Sequence, residues 1–495
     1  MAPPPLAATA KSIHLEPRMP IQTLIGAVAS LSISTLCLIA TFSSCFLLLF
    51  KNARRNSIKL YHLGGEDNGC MRESKGHCTS LRGFSLSTLV RQKVPALVDQ
   101  RAAFKPVWWL PSGNAQTIYC SLGDFTKGDQ IIYQSHICAD TVDSPGNSFK
   151  SATVASTLTS QPQCSCALSH PIEGLLALDV NPPLNTHPVR DNEVVVVVAH
   201  GLTGGSHESY VRAALSTLTL PINEGGLGLR AVVINSRGCN NSPVITPKLY
   251  HAGCSDDIRP VMLWVCKTFP GCTILGLGFS LGANFMTKYV GEESEKCPMT
   301  AMVGLANVWD FVYGSYHIER GTLMNRLVYQ NVLGGALLSL RQYDEMITAP
   351  LYGFKDASDY YYKISSSRVV DKIRIPVLGI NSLDDPIVGK GNLPFSLVAQ
   401  TPWVVLATTE HGGHMGWFEY KDDGTLGRWY VKPTKQFFHA IIESDLPPRP
   451  KPNILKAGQF WFDEANPNVR FCERMEEEFV SASGGVTNPR LRSGW

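Results

Sequence analysis

The sequence contains little charge and no dense tract of basic residues. Of its 495 residues, 17% are charged, and 44 Lys and Arg against 41 Asp and Glu give a formal net charge of +3. A surface that binds nucleic acid needs a basic patch or stripe, so we expect no nucleic-acid partner. Hydrophobic residues make up 44% of the chain. That share is enough for a full core and excludes an intrinsically disordered protein.

Sequence motifs that bind metals or phosphates are also missing. The 14 cysteines include no C-x-x-C pair, which is the spacing typical of zinc ligands and of thioredoxin-like redox centres. The sequence shows neither a cluster of metal ligands nor a glycine-rich phosphate loop, so we expect no cofactor and no metal. Scattered thiols of this kind are typical of a reduced chain in the cytosol.

One long apolar run lies near the amino terminus. Residues 21–50 carry no charge, and about 20 apolar residues are enough to span a bilayer. We expect residues 1–20 to be disordered and residues 21–50 to form one transmembrane anchor. More basic residues follow this run than precede it, so the positive-inside rule places the larger part of the chain in the cytosol. The expected membrane is the endoplasmic reticulum or another endomembrane. A cleaved anchor with a secreted chain is the alternative.

The rest of the chain divides by composition into three parts. Residues 51–104 are polar without a firm pattern and are interpreted as a linker and an entry segment to the main domain. Residues 105–446 are predicted to form that domain, with a Ser-, Thr- and Pro-rich surface insertion at 139–172. Residues 447–495 begin Pro-rich and then become irregular, so we expect a peripheral tail.

Short apolar runs alternate with segments of helical length inside the main domain. Such runs are typical of strands that are buried on both faces of a parallel sheet. The predicted strands are 194–199, 231–235, 273–276, 301–305, 375–381 and 402–407. Helices predicted between them include 208–216, 256–268 and 282–290. The alternation predicts an α/β fold with a doubly wound, mostly parallel sheet.

The pentapeptide GFSLG at 278–282 lies between a predicted strand and a predicted helix. This is the context of the G-x-S-x-G nucleophile elbow, a tight turn that lifts a serine hydroxyl above the edge of the sheet. Small residues must flank the serine because the turn leaves no room for larger ones. Ser280 is therefore the predicted nucleophile, and a plain turn with a helix-capping serine is the alternative.

A serine hydroxyl needs a base to become a nucleophile, and proteins with this elbow order the triad as Ser, acid, His. His414 lies in a glycine-rich segment after the last predicted strand and is the expected base, with His411 as the alternative. A carboxylate after the preceding strand would orient the imidazole. Asp385 is the expected acid and Asp384 the alternative, with the other aspartate capping the following turn.

Two backbone N–H groups are expected to form an oxyanion hole. The candidates are Leu281, directly after the nucleophile, and Leu202, in the glycine-rich loop after the first long strand. His200 begins that loop and is expected to be structural. His251 and Asp256 match the H-x4-D pattern of a separate acyltransferase class, but an aspartate at a helix start explains Asp256 more simply.

Six stretches, in order along the chain, together resemble the YheT-type branch of the α/β-hydrolase superfamily. They are 109–117 (WLPSGNAQT), 200–206 (HGLTGGS), 235–239 (NSRGC), 278–284 (GFSLGAN), 383–386 (LDDP) and 411–416 (HGGHMG). Within this branch the chain is similar to fungal medium-chain fatty acid ethyl ester synthase/esterases and related monoacylglycerol lipases. Animal members of the ABHD group share the N-terminal membrane anchor. One departure is Ala283, where the family has a glycine.

The resemblance implies an α/β-hydrolase fold and a triad of Ser280, Asp385 and His414. It implies an esterase or lipase that acts on medium- or long-chain acyl esters through an acyl-serine intermediate, with water or an alcohol as the final acceptor. Residues 307–365 are too long for a simple crossover, and their apolar content suits a helical cap over an acyl pocket. Expected partners are an acyl ester or lipid substrate and the membrane. Alternatives are an acyl-CoA thioesterase or acyltransferase, and a catalytically silent lipid-binding scaffold.

Overall fold

A computed structural model describes most of the chain after residue 56. The described residues are 57–63, 65–67, 85–123, 125, 129–142, 174–240, 242, 244, 249–320 and 339–474. The predicted leader at 1–20 and membrane anchor at 21–50 lie outside these residues, as does most of the predicted insertion at 139–172. Within the described ranges, no helix is long and apolar enough to cross a membrane.

One sheet of 13 strands organises the described chain. The described chain has 15 strands, 13 of them in this sheet: β1 (Ile58–His62), β2 (Gly65–Asp67), β3 (Gln134–Val142), β4 (Gly174–Asn181), β5 (Val194–Ala199), β6 (Arg230–Asn235), β7 (Thr273–Phe279), β8 (Ala301–Leu305), β9 (Val377–Ser382), β10 (Val404–Thr409), β11 (Phe418–Tyr420), β12 (Leu426–Arg428), β13 (Ile454–Ala457), β14 (Phe460–Asp463) and β15 (Asn466–Arg474). The sheet has the order β13-β14-β15-β3-β4-β6-β5-β7-β8-β9-β10-β1-β2, and β11 and β12 form a separate hairpin. Strands β6, β5, β7, β8, β9 and β10 run parallel.

These parallel strands are the six that the apolar runs predicted, so the parallel, doubly wound centre is confirmed. Side chains of β5 alternate between two buried layers: Val195 and Val197 pack in one core, and Val196 and Val198 pack in the other. Both layers are covered by helices, which is why every residue of this strand can be apolar. The carboxyl ends of the parallel strands consequently meet at one edge of the sheet.

Helices cover both faces of the sheet. They are α1 (Leu86–Lys93), α2 (Pro95–Val98), α3 (Gly113–Leu122), α4 (Ser209–Leu218), α5 (Ile258–Thr268), α6 (Leu281–Glu293), α7 (Phe311–Arg320), α8 (Leu340–Tyr343), α9 (Ala349–Leu351), α10 (Ala357–Ile364), α11 (Phe395–Val398) and α12 (Val431–Ile442), with a π-helical turn at Asp344–Thr348. Helices α5, α6 and α10 pack in one core, and α1, α2, α4 and α12 pack in the other.

The two flanks of the predicted domain need correction. Residues 51–104, interpreted as a linker and an entry segment, contribute β1, which pairs antiparallel with β10. Residues 447–474, interpreted as the start of an irregular tail, contribute β13, β14 and β15, which join the opposite edge through β3. Only alternate residues of such strands face the core, as Val469 and Phe471 do in β15. Strands in these outer parts of the sheet therefore lack the continuous apolar run that identified the central ones.

The described part of residues 307–365 is mostly helical. Helices α7 to α10 and the π-helical turn account for most of it, while residues 321–338 lie outside the described chain. Ala349, Tyr361 and Ile364 from this region are buried in the same core as α5 and α6. The cap itself stays a prediction.

Candidate active site

Ser280 occupies a strained turn between β7 and α6. Its backbone has φ +52° and ψ −116°, a conformation that costs energy for any residue with a side chain. The N–H of Ser280 donates to the carbonyl of Leu305 on the neighbouring strand at 2.8 Å, which fixes the turn against the sheet. A methyl group on Gly282 would lie 2.3 Å from the carbonyl oxygen of Ala199. The backbone of β5 therefore lies so close that only glycine fits at position 282 of the elbow.

Ser280, His414 and Asp385 form a continuous chain of hydrogen bonds. Ser280 Oγ lies 2.7 Å from His414 Nε2, and His414 Nδ1 lies 2.8 Å from Asp385 Oδ2. The other oxygen of Asp385 accepts the N–H groups of Ile387 and Val388 at 2.8 and 2.9 Å. The side chain of Asp385 is fully buried and that of His414 is 8% exposed. With Nδ1 donating to the carboxylate, Nε2 is placed to accept the serine proton.

Asp384, the alternative acid, binds His411, the alternative base. Asp384 Oδ2 lies 3.0 Å from His411 Nδ1. Its Oδ1 accepts the N–H of Gly413 at 3.0 Å and the hydroxyl of Ser382 at 2.6 Å. The expectation that Asp384 caps the following turn is therefore wrong, because Asp385 itself accepts the N–H groups of that turn.

The stretch at 109–117 supports the histidine loop, a role that the sequence did not reveal. Thr117 Oγ1 accepts the backbone N–H of His414 at 2.8 Å and donates to the carbonyl of Gly113 at 2.7 Å. A methyl group on Gly113 would lie 2.0 Å from the carbonyl oxygen of Asp384. The start of α3 thus packs directly against both the turn that contains Asp384 and the loop that contains His414. The available signal was that 109–117 is one of the six stretches that resemble the YheT-type branch.

Two tyrosines hold the loop that contains the candidate oxyanion donor Leu202. The hydroxyl of Tyr210 accepts the N–H of Gly201 at 3.0 Å. The hydroxyl of Tyr250 accepts the N–H of Thr203 at 2.7 Å. Both residues that flank Leu202 in sequence are therefore fixed through their backbone. Sequence reasoning missed these tyrosines because they lie outside the loop that they hold.

Both candidate oxyanion residues lie beside Ser280, the predicted nucleophile. Leu202 and Leu281 line the same cavity as Ser280. A methyl group on Gly201 would approach the β-carbon of Ser280 to 3.5 Å, so this loop passes next to the serine side chain. The two backbone segments from which the donors were predicted therefore meet beside the side chain of Ser280.

His200 has structural contacts, as expected. Its Nε2 accepts the backbone N–H of Ser236 at 3.0 Å, and its Nδ1 donates to the carbonyl of Gly201 at 2.6 Å. Complete burial lowers the pKa of His200 to about 4, against a smaller opposing effect of the bond to Gly201. The imidazole is therefore neutral near pH 7, and it ties the end of β5 to the end of β6.

The H-x4-D pair and the family stretch NSRGC also have separate contacts. Asp256 pairs with Arg259 of α5 at 2.6 Å, whereas His251 lines the cavity. Arg237 forms a buried ion pair with Asp257, with a distance of 2.9 Å between Nη2 and Oδ1. Arg237 also lines the cavity, so the arginine of that stretch contributes a fixed, internally neutralised wall.

A cavity of about 1350 Å³ opens over Ser280 and His414. Apolar and aromatic side chains of the helical region cover one side of it: Phe311, Ile318, Ile347, Leu351, Tyr352 and Tyr361. Glu208 is an acidic group in its wall, and burial raises the pKa of this carboxyl to about 7 against the opposing charges of Arg428 and Arg212. Among the described residues, no three His, Cys, Asp or Glu side chains are placed to hold a metal ion.

Comparison with known proteins finds lipases and esterases among the similar sequences. Residues 194–316 match the model of the α/β hydrolase fold. A monoacylglycerol lipase of Saccharomyces cerevisiae is 33% identical over 72% of this chain and 86% of the lipase. Medium-chain fatty acid ethyl ester synthase/esterase 2 of the same yeast is 30% identical over 71% of this chain and 88% of the yeast protein. The putative esterase YheT of Escherichia coli is 30% identical over 49% of this chain and 74% of YheT. These relatives confirm the resemblance of the six stretches.

Proposed function

The chain belongs to the α/β-hydrolase family, and from this premise we propose that it cleaves medium- or long-chain acyl esters with Ser280 as its nucleophile. Relatives that are lipases and esterases support the general class, a carboxylic ester hydrolase. The observation that carries the proposal is the 2.7 Å contact between Ser280 Oγ and His414 Nε2, with the buried Asp385 behind it. His414 is the proposed base and Asp385 the proposed orienting acid.

Acylation begins with proton transfer from the Ser280 hydroxyl to His414 Nε2. Ser280 Oγ then attacks the ester carbonyl, and the new C–O bond converts it into a tetrahedral oxyanion. Asp385 stabilises the imidazolium through Nδ1 without taking its proton. When the C–O bond to the leaving alcohol breaks, His414 returns the proton to the alcohol, and the acyl group stays on Ser280.

Deacylation repeats these steps with a second nucleophile. His414 takes a proton from water, the hydroxyl oxygen attacks the acyl carbonyl, and the bond to Ser280 Oγ breaks. His414 then protonates the serine, and a fatty acid leaves. We assign the oxyanion to the backbone N–H groups of Leu202 and Leu281, since preorganised donors of this kind contribute roughly 3–4 kcal/mol to catalysis. Tyr210 and Tyr250 support this assignment because they fix the loop around Leu202.

The cavity supports the choice of a long acyl group. Its volume of about 1350 Å³ exceeds the range of roughly 300–1,000 Å³ that is usual for small-molecule pockets. Leu351, Phe311 and Ile318 give it an apolar wall over the nucleophile. Burial of each methylene is worth about 0.8 kcal/mol, so chain length should control binding strongly.

Transfer of the acyl group to an alcohol is a second candidate activity. The yeast ethyl ester synthase/esterase, at 30% identity over most of both chains, favours it. The only chemical difference lies in deacylation, where an alcohol replaces water and an ester replaces the acid. Reactions in which the ethanol concentration is varied, with the ratio of ethyl ester to free acid as readout, test this activity. A ratio that stays at zero would limit the enzyme to hydrolysis.

We also propose that residues 21–50 anchor the protein in an endomembrane with its enzymatic domain in the cytosol. Support comes from the 30 consecutive uncharged residues and the basic residues after them. Protease protection on intact microsomes tests this orientation. Cleavage of the domain without detergent is expected, whereas protection would place it in the lumen.

Hydrolysis of p-nitrophenyl esters with two to sixteen carbons tests the proposed chemistry. The comparison is between wild type, Ser280→Ala and Ser294→Ala. Ser294 is a matched control because its backbone has nearly the same conformation, φ +52° and ψ −119°, at the end of α6. We expect activity to peak at one chain length, to fall by about 10⁴-fold or more in Ser280→Ala, and to be unchanged in Ser294→Ala. Equal activity in wild type and Ser280→Ala would overturn the proposal. The alternative of a catalytically silent scaffold is disfavoured because all three residues of the proposed triad are present and in contact.

A further inference from the structure

We propose that Asp384 and His411 are positioning residues for the triad, forming a second carboxylate–imidazole pair that fixes the loop on which His414 lies. We call Asp384–His411 the outer pair and Asp385–His414 the inner pair. The proposal rests on the function proposed above for Ser280, because it concerns the geometry of the base that activates this serine.

Both pairs join the same two segments of the chain. Asp384 and Asp385 are adjacent in the turn after β9, and the two histidines lie three residues apart in the loop after β10. Each contact uses a histidine Nδ1 and an aspartate Oδ2, at 3.0 Å in the outer pair and 2.8 Å in the inner pair. Since neighbouring residues provide both carboxylates, a shift of the outer pair displaces the inner pair as well.

The loop between the histidines needs such fixation. Gly412 and Gly413 have φ values of +147° and +59°, and glycine is conformationally free when nothing holds it. Asp384 Oδ1 accepts the N–H of Gly413 at 3.0 Å, so this one carboxylate binds the loop at Gly413 and at His411. Thr117 accepts the N–H of the next residue, His414. The Asp384 carboxylate and the Thr117 hydroxyl therefore hold the backbone N–H groups of two consecutive residues, Gly413 and His414.

The charge of His411 should control how firmly the outer pair holds. The hydrogen bond with Asp384 raises the pKa of His411; burial opposes this, and the charges of Asp384 and Glu410 add to it. When the imidazole is protonated, the contact is a charge-assisted bond, about twice as strong as a neutral one. The side chain of His411 is 32% exposed, so this histidine can exchange protons with solvent.

The test compares Asp384→Asn, His411→Asn and the double variant with wild type, using the best p-nitrophenyl ester from pH 5 to 9. We expect each single variant to lose about 10- to 100-fold in kcat while KM changes less than about twofold. The double variant should lose no more than the worse single one, because residues that act as a unit are not additive. Wild type should also lose activity as pH rises through the pKa of His411, and His411→Asn should not show this alkaline fall.

His439→Asn is the matched control. His439 contacts Glu443 at 3.4 Å in another histidine–carboxylate pair, exposed on α12, so this variant should behave as wild type does. Three results would each overturn the proposal. The effects of Asp384→Asn and His411→Asn on kcat multiply in the double variant, or either single variant keeps a kcat within twofold of wild type. The third is an alkaline fall in activity that persists in His411→Asn. Should the variants fail to fold, as judged by their melting temperature, the absence of an alkaline fall in wild type overturns it alone. Inactive wild type, or active Ser280→Ala, would instead contradict the proposed function.

Discussion

The hydroxyl oxygen of Thr117 accepts the backbone N–H of His414 at 2.8 Å, between residues 297 positions apart in sequence. This bond links the first helical turns of α3 to the loop that presents the proposed base. Thr117 is fully shielded from solvent, and its own proton is donated to the carbonyl of Gly113. The backbone N–H of the proposed base is therefore held by a hydroxyl group that has no part in proton transfer.

Replacing Thr117 by valine is expected to lower kcat about tenfold and to destabilise the protein. The substitution keeps the shape but leaves the N–H of His414 buried without an acceptor, which costs roughly 1–3 kcal/mol. Ester hydrolysis and thermal unfolding measure the two effects. Thr117→Ser retains the hydroxyl and should keep most of the activity. A Thr117→Val variant with the kcat and melting temperature of wild type would show that this bond does not position the base.

Tyr250→Phe is expected to lower kcat about tenfold, with little change in KM. The variant removes the hydroxyl that accepts the N–H of Thr203 at 2.7 Å, which loosens the loop that presents the N–H of Leu202. Oxyanion stabilisation acts on the transition state, so its loss appears in kcat. Tyr343→Phe is the control, because Tyr343 lines the same cavity but is 43% exposed. Equal losses in both variants would point to a general effect of cavity polarity.

The central part of the fold was predictable because its signals are local. Six continuous apolar runs predicted the parallel strands, and the spacing of Gly278, Ser280 and Gly282 between a strand and a helix predicted the elbow. These features need no knowledge of distant residues, since burial on both faces and a tight turn each restrict a few consecutive positions. The chain order of the triad then reduced the search for its acid and base to a few residues.

The edges and the supporting residues depend on contacts between distant segments. Strand β15 pairs with β3, from which more than 300 residues separate it, and its alternating pattern resembles an irregular tail. The sequence favoured Asp385 over Asp384 as the acid, but the partnership of Asp384 with His411 joins two separate loops and was not visible there. Thr117 likewise became meaningful only when the fold brought α3 against the histidine loop.

Gly282→Ala is expected to prevent correct folding of the elbow. Its new methyl group would lie 2.3 and 2.4 Å from the carbonyl oxygens of Ala199 and His200, so the backbone of β5 or α6 would have to move. Gly304→Ala is the control, because the nearest atom to its new methyl group is 3.6 Å away. We expect Gly304→Ala to keep nearly the wild-type melting temperature and Gly282→Ala to lose soluble expression or several degrees. Similar stability of both variants would contradict the packing argument.

Glu208→Gln is expected to make the protein more stable than wild type at alkaline pH. Burial raises the pKa of Glu208 from its ordinary 4.5 to about 7, so between these values the folded state binds more protons than the unfolded state. The free energy of unfolding of wild type should therefore fall as pH rises through this window, by on the order of 1 kcal/mol per pH unit. Glutamine keeps the shape and cannot ionise, so its advantage should grow from pH 5 to pH 7 and then level off. Urea unfolding at four pH values measures this difference, with the exposed Glu224→Gln as control. Parallel pH dependences of Glu208→Gln and wild type would show that this carboxyl ionises as freely as an exposed one.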